Sequence, residues 1–233
     1  MIQATITRKT LHSSKKLLSL IIKPSDPSYS WISGQWVDVT SSHFSNKRTT
    51  TTTNNIHNKN INNDQPTIPV AGYSFCSPTG SGDFEIMIRK SNHPVTEWIF
   101  DNKEVQSEIL IGKASGNFQY NPKTHANIVC IAGGVGITPL ISMIRTQRQY
   151  ENITNTANTT ARLYHSIKTK DDALFSDEFA SEDVLFTSNE ENNNKINFED
   201  FAVSHGTNAD YFICGPPSFI DKAACDLKIH NCI

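Results

Sequence analysis
A chain of 233 residues with a formal net charge of −2 and 37% hydrophobic residues has room for one large domain or two modest ones, and no global basic field to recruit nucleic acid. No apolar run approaches the roughly 18 residues of a membrane span. Five cysteines, an odd number with no C-x-x-C pair, speak against a disulfide framework, a zinc ribbon and a plant-type iron–sulfur module, and for organic cofactor chemistry in a reducing compartment.

In chain order, the first half reads as strands separated by turn residues: Ile2 to Thr7, Lys16 to Ile22, Trp36 to Thr40, Gly72 to Cys76, Phe84 to Arg89 and Val105 to Ile111. Short strands at this spacing predict an antiparallel barrel, with Pro78 to Asp83 (PTGSGD) as a hairpin loop. Beyond Tyr120 to Asn127, where a domain boundary is expected, strands alternate with helix-length segments. Ile128 to Ala132 is followed by a helix to about Arg148. Strand Ala161 to His165 precedes a helix near Asp172 to Ala180, and strand Tyr211 to Cys214 precedes a helix over Ser218 to Ile229. That alternation predicts a parallel sheet with crossover helices. The expected architecture is therefore two domains: an N-terminal antiparallel β-barrel over residues 1–122 and a C-terminal α/β nucleotide-binding domain over 123–233.

Three polar stretches interrupt the plan: Ser41 to Ile68, with five consecutive threonines (Thr49 to Thr53) and many asparagines, Asn152 to Thr160, and Ser188 to Asn197. Such composition buries too little apolar surface to offset chain ordering, and reads as solvated insertions or a partner-docking surface. The sequons at Asn152 and Asn158 are read as chance matches, since no secretory signal precedes them. The basic, Ser/Thr-containing N-terminus leaves a mitochondrial presequence open beside the favoured cytoplasmic location.

Two segments carry the chemistry. In VCIAGGVGITP the strand meets Gly133, Gly134 and Gly136 and then a helix, with Thr138 expected as N-cap and Pro139 as first helical residue. Bare backbone at a helix N-terminus suits a pyrophosphate; a tight turn without a ligand is the alternative. The second segment, YFICGPP (Tyr211 to Pro217), repeats a strand end with loop chemistry. Together they suggest a crevice at the carboxyl ends of parallel strands.

GGVGITP followed some eighty residues later by CGPP resembles the ferredoxin–NADP reductase superfamily and, within it, the oxidoreductase NAD-binding domain-containing proteins. Further landmarks follow in the right order: ISGQWVDV (Ile32 to Val39) is similar to the family's P-G-Q-aromatic strand, GYSFCSP (Gly72 to Pro78) to its flavin strand, and IGKASGNF (Ile111 to Phe118) to its G-P-x-G-x-F turn. The resemblance implies an oxidoreductase that passes hydride from NAD(P)H to bound FAD or FMN and electrons on to an unknown acceptor. Carried over position by position, it implies that Tyr73 packs on the flavin and that Ser74 reaches its N5 edge. Thr96 takes the serine position and His93 the glycine position of the flavin-phosphate turn, with Arg89 and Lys90 just before it. The pyridine nucleotide is expected on Gly133, Gly134, Val135, Gly136, Ile137, Thr138 and Pro139, with Cys214, Gly215 and Pro216 beside the nicotinamide and Cys214 orienting its C4. Ser74 and Cys214 are the expected catalytic residues. Lys168 and Lys170 are candidate partners of an adenosine 2′-phosphate, which Asp171 and Asp172 would repel. Cys76, Cys130, Cys225 and Cys232 are read as small hydrophobes.

Besides His93 at the glycine position, the sequence departs from the family in two places. Ala71 stands where the family has a phosphate-binding arginine, and the chain stops at HNCI where the family has a closing strand and aromatic residue. A non-catalytic NAD(P)-binding sensor or scaffold that has lost flavin is therefore the alternative.

Overall fold
A computed structural model describes residues 1–12, 16–41, 43–44, 68–101, 106–155, 160–179, 183–187, 196–198 and 209–227. Most of the expected insertion from Ser41 to Ile68, residues 156–159 of the second polar stretch, residues 188–195 of the third and the terminal HNCI lie outside the described residues.

The first half supplies strands β1 (Ile2–Leu11), β2 (Leu17–Pro24), β3 (Ser30–Trp31), β4 (Trp36–Thr40), β5 (Ala71–Ser74), β6 (Gly80–Ser81), β7 (Phe84–Arg89) and β8 (Glu108–Ile111), with helix α1 (Pro94–Asp101) between β7 and β8. Six of these strands form an antiparallel sheet in the order β5-β4-β8-β1-β2-β7. A bridge between Phe75 and Ile86 brings its two edges together, so the sheet curls into a nearly closed barrel with few unpaired edge groups. Alternate residues point inward: Leu18, Leu20 and Ile22 of β2, Phe84, Ile86 and Ile88 of β7, and Val37 and Val39 of β4 share one core with Phe75 and Trp31. The expected hairpin loop Pro78 to Asp83 does more than turn. Gly80 and Ser81 pair with Ser30 and Trp31 in a separate two-stranded ladder.

The second half contains β9 (Asn127–Gly133), α2 (Ile137–Thr154), β10 (Thr160–Ile167), β11 (Val184–Thr187), β12 (Asp210–Cys214) and α3 (Pro217–Leu227). Its sheet is parallel, in the order β11-β10-β9-β12. Strand β9 is buried on both faces, as expected for an inner parallel strand. Ile128, Cys130 and Ala132 pack toward α2, and Val129 and Ile131 toward α3.

Two local expectations are corrected. The segment near Asp172 to Ala180 is not an α-helix: it forms two short 3₁₀ turns, Lys170–Asp172 and Ser176–Glu178. Phe175 sits between them in the left-handed region at φ 57°, which breaks helical continuation. Cys225 is exposed rather than a core hydrophobe, whereas Cys76 and Cys130 are buried.

The halves meet through a mixed interface. Leu17, Cys76 and Met87 of the barrel join the cluster that contains Ile137, Leu140 and Ile144 of α2. At its edge Arg145 of α2 donates to the Cys76 carbonyl at 2.8 Å and to the Glu85 carboxylate at 2.8 Å. It also makes a two-point contact with Glu178 and lies 5.0 Å from the centre of the Phe175 ring. Ser33 and Thr79 of the barrel form a second polar junction with Ser142 and Thr146 of α2.

A candidate dinucleotide site between the barrel and the parallel sheet
Most of the residues singled out from the sequence line one cavity of about 720 Å³. Ala71, Tyr73 and Ser74 come from β5, Arg89 from the end of β7, and His93 and Thr96 from the start of α1. Gly133, Gly134, Val135, Gly136 and Thr138 face them from the β9–α2 turn, and Cys214, Gly215 and Pro216 from the end of β12. Ile137 and Pro139 do not line it; both are buried in α2. Gly134 through Gly136 form a 3₁₀ turn, so α2 starts at Ile137 with Gly136 as its N-cap and no side-chain cap. Thr138 is thus not the N-cap. Its hydroxyl donates back to the Val135 carbonyl at 3.0 Å, and the helix start is left open to a ligand's acceptors.

The glycines have separate jobs. Gly134 adopts φ +55°, and a Cβ built there would meet only an Arg89 Nη at 3.7 Å; this glycine keeps the approach to the turn open. At Gly136 a Cβ would lie 2.3 Å from the Cys214 carbonyl oxygen, so this glycine lets the two loops touch. The two strand ends read separately in the sequence are in contact because neither presents a side chain there.

On the barrel side the Tyr73 hydroxyl and the Thr96 hydroxyl are 2.9 Å apart. Burial raises the Tyr73 pKa, against the hydrogen bond from Thr96, so Tyr73 is a neutral, fixed ring. His93 accepts the Val95 N–H at its Nδ1 and so caps α1. Ala71 brings no charge, and Arg89 is the single lysine or arginine among the described lining residues. On the opposite wall burial raises the Cys214 thiol pKa, partly offset by the Gly215 backbone N–H. A neutral thiol orients or packs; it is not a nucleophile at neutral pH.

A smaller cavity of about 330 Å³ continues past the turn, lined by Arg89, Gly133, Gly134, Ser166, Lys168, Asp172 and Phe219 among others. Lys168, but not Lys170, is in its wall. Arg89 lines both cavities. Lys90 instead lies 5.8 Å from the centre of the Phe100 ring. Sequence reading passed over His165 and Arg145, whose roles depend on residues distant in the chain.

A nearly closed antiparallel barrel beside a parallel α/β sheet, with a glycine turn facing the barrel across a cleft, is a fold shared with solved reductase structures. Residues 130–225 match the oxidoreductase NAD-binding domain family. Oxidoreductase NAD-binding domain-containing protein 1 of Danio rerio is 23% identical over 192 residues, covering 68% of this chain and 70% of that protein. Phthalate dioxygenase reductase, described as a modular structure for electron transfer from pyridine nucleotides to [2Fe-2S], superposes with a TM-score of 0.75 at 16% identity, over 99% of this chain and 65% of that one. A ferredoxin–NADP⁺ reductase from Neisseria gonorrhoeae with bound FAD and NADP superposes with a TM-score of 0.70 at 17% identity, over 99% of this chain and 92% of that one. Among the described residues no helix is long and apolar enough to cross a membrane.

Proposed function
We propose that the chain is an NAD(P)H-dependent flavin-type oxidoreductase delivering electrons to a separate acceptor. One observation carries the reading: Tyr73 and Ser74 of the barrel share a single cavity with the glycine turn and with Cys214–Pro216. Hydride transfer needs two rings held in contact, roughly 3–3.5 Å apart at the reacting atoms. A cleft between two domains, one wall presenting an aromatic ring and the other a pyrophosphate-type turn, serves that need. A pyridine nucleotide would be held by its pyrophosphate at Gly134 and Val135, with Cys214 at the nicotinamide end and Ser166 and Lys168 at the adenosine end. Lys168 and Asp172 share that wall, one favouring and the other disfavouring a 2′-phosphate, so both NADH and NADPH are candidates.

The barrel wall fits a flavin ring: Tyr73 is half-buried and held by Thr96, and Ser74 lines the same cavity. The phosphate end fits less well. Ala71 offers no donor, so Arg89, Ser91 and His93 are the side chains that would hold it. A bound flavin supplies acceptance of a hydride from nicotinamide C4. The protein's part is to orient the two rings and keep water out.

Absorbance near about 450 nm in the purified protein, bleached by NADH under argon, tests the reading. Flavin affinity is then measured by fluorescence quenching for the wild type and Ala71→Arg, which restores a charge-assisted phosphate contact worth about 1.5–3 kcal/mol. Tighter binding of FAD or FMN to Ala71→Arg is expected. If neither protein binds either flavin at micromolar concentration, the reductase reading fails. The uncharged Ala71 then supports the second reading, an NAD(P)-binding sensor or scaffold without flavin.

A further inference from the structure
We propose that His165 is a positioning residue for the phosphate-binding turn, holding the Gly134 carbonyl inward so that the Val135 N–H faces the cavity. The inference rests on the reading that this turn takes a pyrophosphate. His165 lies on β10, level with Ala132 of β9 and Leu185 of β11, and its side chain is fully buried. The residues two places away on either side are Leu163 and Ile167, both buried, so the imidazole fills an otherwise apolar column. Packing alone does not explain it, because Nδ1 is buried with no hydrogen-bond partner among the described residues, a cost that a leucine would avoid.

The other nitrogen supplies the reason. Nε2 is 2.9 Å from the Gly134 carbonyl oxygen. A carbonyl only accepts, so the ring is the Nε2–H tautomer. The same carbonyl accepts the Ile137 N–H. Held at two points, it fixes the plane of the Gly134–Val135 peptide. In a planar trans peptide the N–H points opposite to the C=O, so the Val135 N–H is directed away from His165. Gly134 is in the left-handed region, where its bare backbone has the least intrinsic rigidity; an outside anchor matters most there. Burial keeps the ring neutral, lowering its pKa to about 4 against the opposing influence of the Gly134 carbonyl and Asp172.

Two measurements test this. In protein labelled with ¹⁵N-histidine, His165 is expected as the Nε2–H tautomer and without titration between pH 6 and 8; an Nδ1–H tautomer or a midpoint near the ordinary histidine value overturns the proposal even if no variant folds. Calorimetry with ADP-ribose and with adenosine is then run on wild type, His165→Phe and His165→Gln. The phenylalanine keeps the ring without the donor, and the glutamine restores an N–H near Nε2. His165→Phe is expected to lose about tenfold in ADP-ribose affinity with adenosine unaffected, and His165→Gln to recover most of it. Equal ADP-ribose affinity in wild type and His165→Phe, or equal losses in both variants, refutes the role of His165 while leaving the nucleotide site standing. A wild type that binds no ADP-ribose removes the nucleotide reading and this proposal together.

Discussion

Replacing Gly134 by alanine separates ligand binding from folding at the centre of the site. The new methyl meets only the Arg89 guanidinium, at 3.7 Å, so nothing in the protein must move to admit it. The cost to the fold is the backbone: an L-residue at φ +55° loses about 1–2 kcal/mol relative to glycine, or roughly 2–8 °C in melting temperature for a chain of this size. The cost to binding is larger, because the methyl stands over the bare backbone on which a pyrophosphate oxygen would rest. Losing one charge-assisted hydrogen bond of about 1.5–3 kcal/mol predicts a ten- to hundredfold fall in affinity. Calorimetry with NADH, paired with a thermal melt, reads both numbers. An NADH affinity equal to wild type in a folded Gly134→Ala protein would refute the assignment of the turn. Gly136→Ala is the contrasting control. Its methyl would fall 2.3 Å from the Cys214 carbonyl oxygen, so the β12 loop must shift and the fold should suffer first.

The other expectations concern chemistry, assembly and pH. If the Cys214 thiol orients the nicotinamide as proposed, Cys214→Ser should slow flavin reduction in single-turnover experiments and leave NADH affinity nearly intact; an undiminished rate would remove Cys214 from the site. Arg145→Met leaves Glu85 and Glu178, about four-fifths and three-quarters buried, without their shared cation. With the residual solvent screening allowed for, it should cost about 2–3 kcal/mol, or roughly 4–12 °C, and calorimetry showing a smaller shift would mark the knot as incidental. His165 takes up its proton in the folded protein only near pH 4, against an ordinary value of 6.5. The unfolded chain therefore binds the extra proton first. Stability from this group is complete above about pH 7.5 and falls by about 2 kcal/mol by pH 5. Denaturant melts across that range should show the slope in wild type and lose it in His165→Gln; the same slope in both would assign it to other groups.

Element types and their order were legible in the sequence because they are encoded locally. Period-two apolar alternation in β4 and β7 needs only neighbouring residues to be read, and so does the glycine cluster ending β9. The same locality explains the errors. Leu174, Phe175 and Phe179 carry a helix-like spacing, but Phe175 turns left-handed and lies against Arg145, a contact no local window contains. Thr138 and Pro139 have the composition of a helix start, yet the 3₁₀ turn at Gly134–Gly136 moves the start and buries Ile137 and Pro139. Tertiary structure alone decided which strand ends meet: that Gly136 touches Cys214, that Arg89 crosses from the barrel to Gly134, and that His165 sits beneath the turn. These contacts join residues tens of positions apart. Their geometry follows from how the barrel packs on the parallel sheet, and side-chain packing at that distance leaves no periodic trace in the sequence.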